Sequence, residues 1–176
     1  MKRATELTPK GTERVLVAGS YDPVSLGHMA LIDYAAKHFK EVHAVIFIND
    51  QKNYFFTVQQ RLALLEAACK RYENVKTGVD NGMLFAYAER EKIDYTIRGY
   101  RDEKDLAYEA KMAEFNEKAL PGLETILVES RPEQRTISST KIREFAVKKG
   151  DFAPYVPAET LDLLQKFIEE KRCQKM

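Results

Sequence analysis

The chain is 176 residues long, with 28 basic and 27 acidic residues and a formal charge of +1. That length makes one domain, able to bury roughly two thirds of the surface its unfolded chain exposes, so it needs no covalent or metal staple. The even charge lacks the basic excess of a nucleic-acid binder, so nucleic acid is not expected as a partner. Cys69 and Cys173 lie far apart, with no CxxC pair and no histidine at ligand spacing, which argues against a disulfide or a zinc site. No apolar run reaches the roughly 18 residues of a membrane span, and the first residues are polar rather than signal-like, so a cytoplasmic protein without membrane contact is expected.

Residues 1–13 (MKRATELTPKGTE) have no periodicity and read as a flexible leader, with the domain spanning 14–176. From there, short β-branched runs alternate with longer amphipathic ones. Strands are expected at 15–18, 42–48, 75–79, 95–98 and 125–128, each mostly apolar, as strands buried on both faces must be. Helices are expected at 29–39, 58–72, 83–92, 105–120, 140–149 and 158–172. Thr57 with Gln60 forms a capping box before the second helix, and Gly150 is placed to close the fifth as its C' residue. There is no repeat and no second domain. The fold class is α/β, a single-domain doubly wound sheet of five parallel strands.

In such folds ligands sit beyond the carboxyl ends of the strands, where strand order reverses. The loop after the first strand reads Gly-Ser-Tyr-Asp-Pro-Val-Ser-Leu-Gly-His over 19–28, and contains neither GxGxxG nor GxxxxGK[ST]. A dinucleotide oxidoreductase and a P-loop kinase are therefore disfavoured. Gly27 lets a ligand approach the backbone, and His28 falls in the first helical turn, where free N–H groups favour an anion. A lone histidine there is more often a packing or capping residue. The neighbouring loops change that balance. Arg98 and Arg101 flank Gly99 at the end of the fourth strand, and guanidinium groups suit phosphate oxygens. After the fifth strand, residues 137–143 read ISSTKIR and open a helix, so Ser138 or Ser139 is either an N-cap or part of an anion site. Lys52 follows the second strand and supplies a point charge, although an ordinary loop lysine is the simpler reading.

Together these segments resemble the phosphopantetheine adenylyltransferases, nucleotidyltransferases marked by [HT]xGH and ISS[ST] signatures. GSYDPVSLGH is similar to that family's G[TS]FDPxTxGH, FTVQQR (56–61) to F[ST]xEER, IRGYR followed by DLAYE (105–109) to RGLR…DFEYE, and ISSTKIRE to its late-helix motif. The resemblance covers about 15–164. It implies a Rossmann-like nucleotidyltransferase fold and transfer of AMP from ATP to 4'-phosphopantetheine, releasing pyrophosphate without a covalent intermediate. By the same resemblance His28, Lys52 and Arg98 would be catalytic. Ser20, Lys52, Leu84 and Arg98 would hold the acceptor. ATP would lie against Ser20, Tyr21, His28, Gly99, Tyr100, Arg101, Glu109, Gln134, Arg135, Thr136, Ile137, Ser138, Ser139 and Thr140. Mg²⁺ would arrive with ATP, with no metal held by protein side chains, and the assembly would be a homohexamer.

Departures concentrate on the acceptor side. Ser25 stands where the family usually has Thr, and residues 49–53 (NDQKN) replace a segment that normally carries Pro and a second Lys. Residues 83–86 (MLFA) replace a GLLVD-like stretch, Tyr100 replaces Leu, and Gln134 replaces an aromatic residue. A sister nucleotidyltransferase with another phosphorylated acceptor, or a non-catalytic nucleotide sensor, therefore remains an alternative at this level.

Overall fold

The computed structural model describes residues 2–3 and 13–173. In chain order the elements are β1 (Lys2–Arg3), β2 (Arg14–Gly19), α1 (Leu26–His38), β3 (Glu41–Phe47), α2 (Val58–Cys69), β4 (Val75–Asp80), α3 (Leu84–Glu91), β5 (Tyr95–Tyr100), α4 (Glu103–Ala119), β6 (Glu124–Glu129), α5 (Ser139–Lys148) and α6 (Leu161–Cys173). The five strands read from the sequence are all present and parallel. Lys2–Arg3 adds a two-residue edge strand, paired in parallel with Ile126 and Leu127, inside the segment expected to be a flexible leader. The rest of that leader up to residue 12 lies outside the described residues.

The sheet order is β1-β6-β5-β2-β3-β4. The chain runs outward through β2, β3 and β4, then returns to the other side of β2 with β5 and β6. Strand order thus reverses between β2 and β5, and the crevice belongs beyond Gly19 and Tyr100. Alternation along the strands sorts side chains onto two layers. Val15, Val17, Val42, Ala44 and Ile46 face α1, α2, α5 and α6, while Leu16 and Val45 face Ala88, Ile93 and Leu123 under α3 and α4. Among the described residues no helix is long and apolar enough to cross a membrane.

Two expectations are corrected here. The strand at 75–79 was expected to be buried on both faces, but β4 is the sheet's edge and Val79 is 37% exposed. Gly150 does not take the left-handed position at the end of α5. Lys149 does, with φ of 57°, and Gly150 donates its N–H to the Phe145 carbonyl at 2.9 Å. The glycine is required for space instead, since a Cβ there would stand 2.7 Å from the Phe145 ring.

The loop after β2 is tied down by a buried carboxylate. Asp22, 5% exposed, accepts the N–H groups of Phe55 at 2.8 Å and Phe56 at 2.9 Å. Buried N–H groups left without acceptors cost about 1–3 kcal/mol each, so Asp22→Ala is expected to lower the unfolding free energy by about 2–4 kcal/mol. Urea denaturation measures this, and a loss below about 1 kcal/mol would show that the carboxylate is dispensable as a clamp.

Candidate active site

Gly19 ends β2, and the chain then turns Tyr21 into the core with φ of 46°. Tyr21 is 1% exposed and its hydroxyl donates to the Val17 carbonyl at 2.7 Å. Burial pushes that phenol well above its ordinary range. The Tyr21 side chain is therefore a core group that shapes the loop, so the ATP contact expected at Tyr21 would fall to its backbone. Ser20 keeps its place in the crevice, and its carbonyl accepts a hydrogen bond from Arg61 at 2.8 Å.

Helix α1 begins at Leu26, three residues before the expected start, because Ser25 is its N-cap. Ser25 Oγ accepts the His28 N–H at 3.4 Å, and the Ser25 N–H donates to His28 Nδ1 at 3.1 Å. This reciprocal box fixes the imidazole chemically. Since Nδ1 accepts a backbone N–H, the proton of the neutral ring sits on Nε2, which is left as a donor. Burial, with the Arg98 charge adding to it, holds the His28 pKa down to about 4. His28 is therefore both capping residue and neutral hydrogen-bond donor, so the two readings of this histidine are not exclusive.

Arg98 reaches from β5 to the centre of the crevice. Its Nε and one terminal nitrogen donate to the two Glu109 oxygens at 2.8 and 3.0 Å, and its other terminal nitrogen donates to the Ala18 carbonyl at 2.9 Å. Three of five guanidinium N–H groups are thus used, and two remain for an anion. Glu109, expected against ATP, is the counter-ion that orients Arg98 from α4.

A cleft of about 690 Å³ opens beside Arg98. Ser20, Lys52, Leu84 and Arg98, chosen from four separate segments as acceptor residues, all line it. Asp50 lines it too, and α4 contributes Met112 and Asn116, which the sequence reading did not single out. Lys52 sits in an exposed turn closed by its own N–H to the Asn49 carbonyl at 2.9 Å.

The residues expected around the nucleotide fall along the carboxyl edge of the sheet toward α5. Gly99 is explained by packing, because a Cβ there would meet Leu31 of α1 at 3.2 Å. Tyr100 ends β5, while Arg101 is exposed and paired with Asp105 at 2.7 Å. Gln134 ends a one-turn 3-10 helix over Pro132–Gln134, and Arg135 pairs with Glu129 at 2.8 Å. Thr136 is exposed, and Ile137 leads into α5, where Ser138 is the N-cap, accepting the Lys141 N–H at 3.2 Å. Ser139 donates to the Pro23 carbonyl at 2.8 Å, and Thr140 accepts from Arg143. Five of these hydroxyls or charges, on Arg101, Arg135, Ser138, Ser139 and Thr140, are thus committed within the protein. What the arrangement leaves open is backbone: a Cβ on Gly27 would stand 3.8 Å from the Ile137 carbonyl, so the amino ends of α1 and α5 meet at the first loop. Their first-turn N–H groups and dipoles favour an anion there. Among the described residues there is no group of three or more His, Cys, Asp or Glu able to hold a metal ion.

Asp22, Ser25 and Arg61 were missed as site-building residues. Ser25 carried a legible signal, a serine directly before a helix, hidden by placing the helix start too late. Arg61 was visible only within a motif, and its bond to Ser20 across 41 positions has no local signature.

A match to the family described as Cytidylyltransferase-like covers residues 16–145. A phosphopantetheine adenylyltransferase of Clostridium perfringens is 34% identical over 154 residues, covering 88% of this chain and 94% of that protein. One from Streptococcus gordonii is 36% identical over 157 residues, covering 89% and 96%. The fold is similar to that of the Plasmodium falciparum nicotinic acid mononucleotide adenylyltransferase solved with NaAD, with a TM-score of 0.63 at 17% identity over 89% of this chain and 96% of that one. With the motifs, the parallel sheet and the cleft in agreement, the chain belongs to the phosphopantetheine adenylyltransferases, within the cytidylyltransferase-like family.

Proposed function

We propose that this protein transfers the adenylyl group of ATP to 4'-phosphopantetheine, giving dephospho-coenzyme A and pyrophosphate. The observation that carries the reading is the convergence of Ser20, Lys52, Leu84 and Arg98 on one cleft, with His28 near enough to feel the Arg98 charge. An oxygen of the acceptor phosphate attacks the α-phosphorus of ATP. The new P–O bond forms as the bond to the β-phosphate oxygen breaks, and pyrophosphate leaves with its electron pair. The nucleophile is already ionised at neutral pH, so no general base is needed, and catalysis reduces to alignment and charge stabilisation.

Each side chain has a task set by its surroundings. The two free N–H groups of Arg98 and the Lys52 ammonium hold the acceptor phosphate, while Ser20 borders it. Leu84, at the start of α3, lies against the acceptor's apolar arm. The amino ends of α1 and α5 receive the triphosphate. His28 donates from Nε2 to the transferring phosphoryl group as a neutral ring, which stabilises developing charge without giving up a proton. Mg²⁺ enters as the phosphate complex of ATP and belongs to the substrate. A cytoplasmic homohexamer is part of the same proposal, and light scattering of the purified chain tests the assembly.

The deciding assay is pyrophosphate release from ATP and Mg²⁺ with 4'-phosphopantetheine, beside nicotinamide mononucleotide, glycerol 3-phosphate and no acceptor. Turnover with 4'-phosphopantetheine alone is expected, and turnover only with another acceptor overturns the substrate assignment. His28→Ala is expected to lower kcat by about 10²- to 10³-fold with little change in the KM for ATP, and an unchanged kcat removes His28 from the mechanism. The His28 ring should titrate near 4 rather than at its ordinary 6.5, as read by NMR. The unfolded chain then binds the extra proton between about 6.5 and 4, so His28 makes stability fall as pH drops through that window. A midpoint near 6.5 contradicts the neutral donor.

A further inference from the structure

Residues 49–53 carry Lys52 into the cleft with no proline and no regular structure. The turn closes on itself, with the Lys52 N–H on the Asn49 carbonyl and the Gln51 N–H on Asn49 Oδ1, both at 2.9 Å. These bonds set the shape of the turn but not its place, because all of them begin and end inside it. Among the described residues one bond leaves the turn: the Asn49 N–H donates to the Tyr54 hydroxyl at 2.8 Å.

Tyr54 is itself held. Its ring lies under the Arg61 guanidinium, 3.9 Å from centroid to Cζ. Arg61 is only 2% exposed, its Nε has no hydrogen-bond partner, and among the described residues it has no ion pair. A buried cation without a carboxylate is costly, and an aromatic face is then a substantial part of its compensation. Ring and cation therefore hold one another in place. From the other side, Arg61 Nη1 donates to the Ser20 carbonyl at 2.8 Å, and α2 anchors Arg61 through the buried Leu64 and Leu65. A continuous series of contacts runs from the Asn49 backbone through Tyr54 and Arg61 to the Ser20 backbone, joining the two loops that border the cleft.

We infer that Tyr54 is a positioning residue for the acceptor: its hydroxyl and its ring under Arg61 fix the Lys52 turn relative to Ser20. This rests on the reading that the acceptor phosphate binds between Ser20, Lys52 and Arg98. Tyr54→Phe keeps the ring and removes only the bond to Asn49. Losing one such bond is expected to raise the KM for 4'-phosphopantetheine about fivefold, with kcat and the KM for ATP changed by less than about twofold. The Asn49 amide should lose hydrogen-exchange protection. In a Lys52→Ala background the same change should add nothing further, because Tyr54 acts through Lys52. An unchanged acceptor KM, equal losses for acceptor and ATP, or a full effect in the Lys52→Ala background overturns the inference. Should the unaltered protein fail to turn over 4'-phosphopantetheine, the substrate reading falls, and Asn49 exchange still decides the brace: faster exchange in Tyr54→Phe sustains it, unchanged exchange overturns it.

Discussion

The paired Arg98 and Glu109 are what the site is built around. A guanidinium placed where strand order reverses attracts anions, but a buried, unpaired charge would cost several kcal/mol. Glu109 meets it with two charge-assisted bonds from α4, and the Ala18 carbonyl takes a third N–H from β2. The geometry spans three elements, so Arg98 is oriented before any ligand arrives. It also imposes a condition on its neighbour. A second cation beside it is disfavoured, and the depressed pKa of His28 reflects both burial and that charge. The site therefore presents one permanent, partly buried cation and one neutral donor, a division of roles suited to holding one phosphate while stabilising charge on another.

Around that centre, the loop after β2 is shaped by groups that touch no substrate. Asp22 binds the backbone of Phe55 and Phe56, Arg143 donates to the Asp22 carbonyl at 2.7 Å, and Ser139 donates to Pro23. Tyr21 is driven inward to the Val17 carbonyl. Bonds from the chain before α2 and from α5 thus converge on Asp22 and Pro23, next to the inward Tyr21, so the segment running into the amino end of α1 is rigid although it has no regular structure. Preorganisation of this kind is where much of an electrostatic catalyst's rate originates, since dipoles already in place need no rearrangement during the reaction.

The parts of this structure legible in the sequence were those governed by local pattern. Five apolar runs marked β2 to β6, Thr57 and Gln60 marked the start of α2, and the positions of Ser20, Lys52, Leu84 and Arg98 followed from strand ends and motifs. What escaped depended on position in space. Val75–Asp80 reads like a buried strand, and only the sheet order makes it an edge. Gly150 reads like a helix-closing glycine, yet Lys149 takes the left-handed turn while the Phe145 ring requires the glycine. Glu109 and Arg98 were both found, but their pairing was not, because the bond joins a helix to a strand across a loop. Serine and threonine near a helix start were ambiguous for a related reason: Ser138 caps, Ser139 braces the first loop and Thr140 accepts from Arg143, and sequence spacing distinguishes none of these.

The unusual acceptor loop bears on specificity through the same electrostatics. Asp50 brings a negative charge to a cleft meant for a phosphorylated acceptor, which at first sight weakens the case. Asp50 is exposed, however, and an exposed charge acts through water and is screened over about 8 Å at physiological salt. Arg98 acts from a partly buried position with its donors already aimed, and the amino ends of α1 and α5 add fixed dipoles that salt screens less at close range. The balance at the reacting phosphate is therefore set by the interior groups, while Asp50 and Lys52 act at the rim. A rim can tolerate sequence change provided its geometry is kept, and in a loop without proline that geometry must come from contacts outside the loop. Among the described residues, the hydrogen bond from Asn49 to Tyr54 is the contact that meets that need.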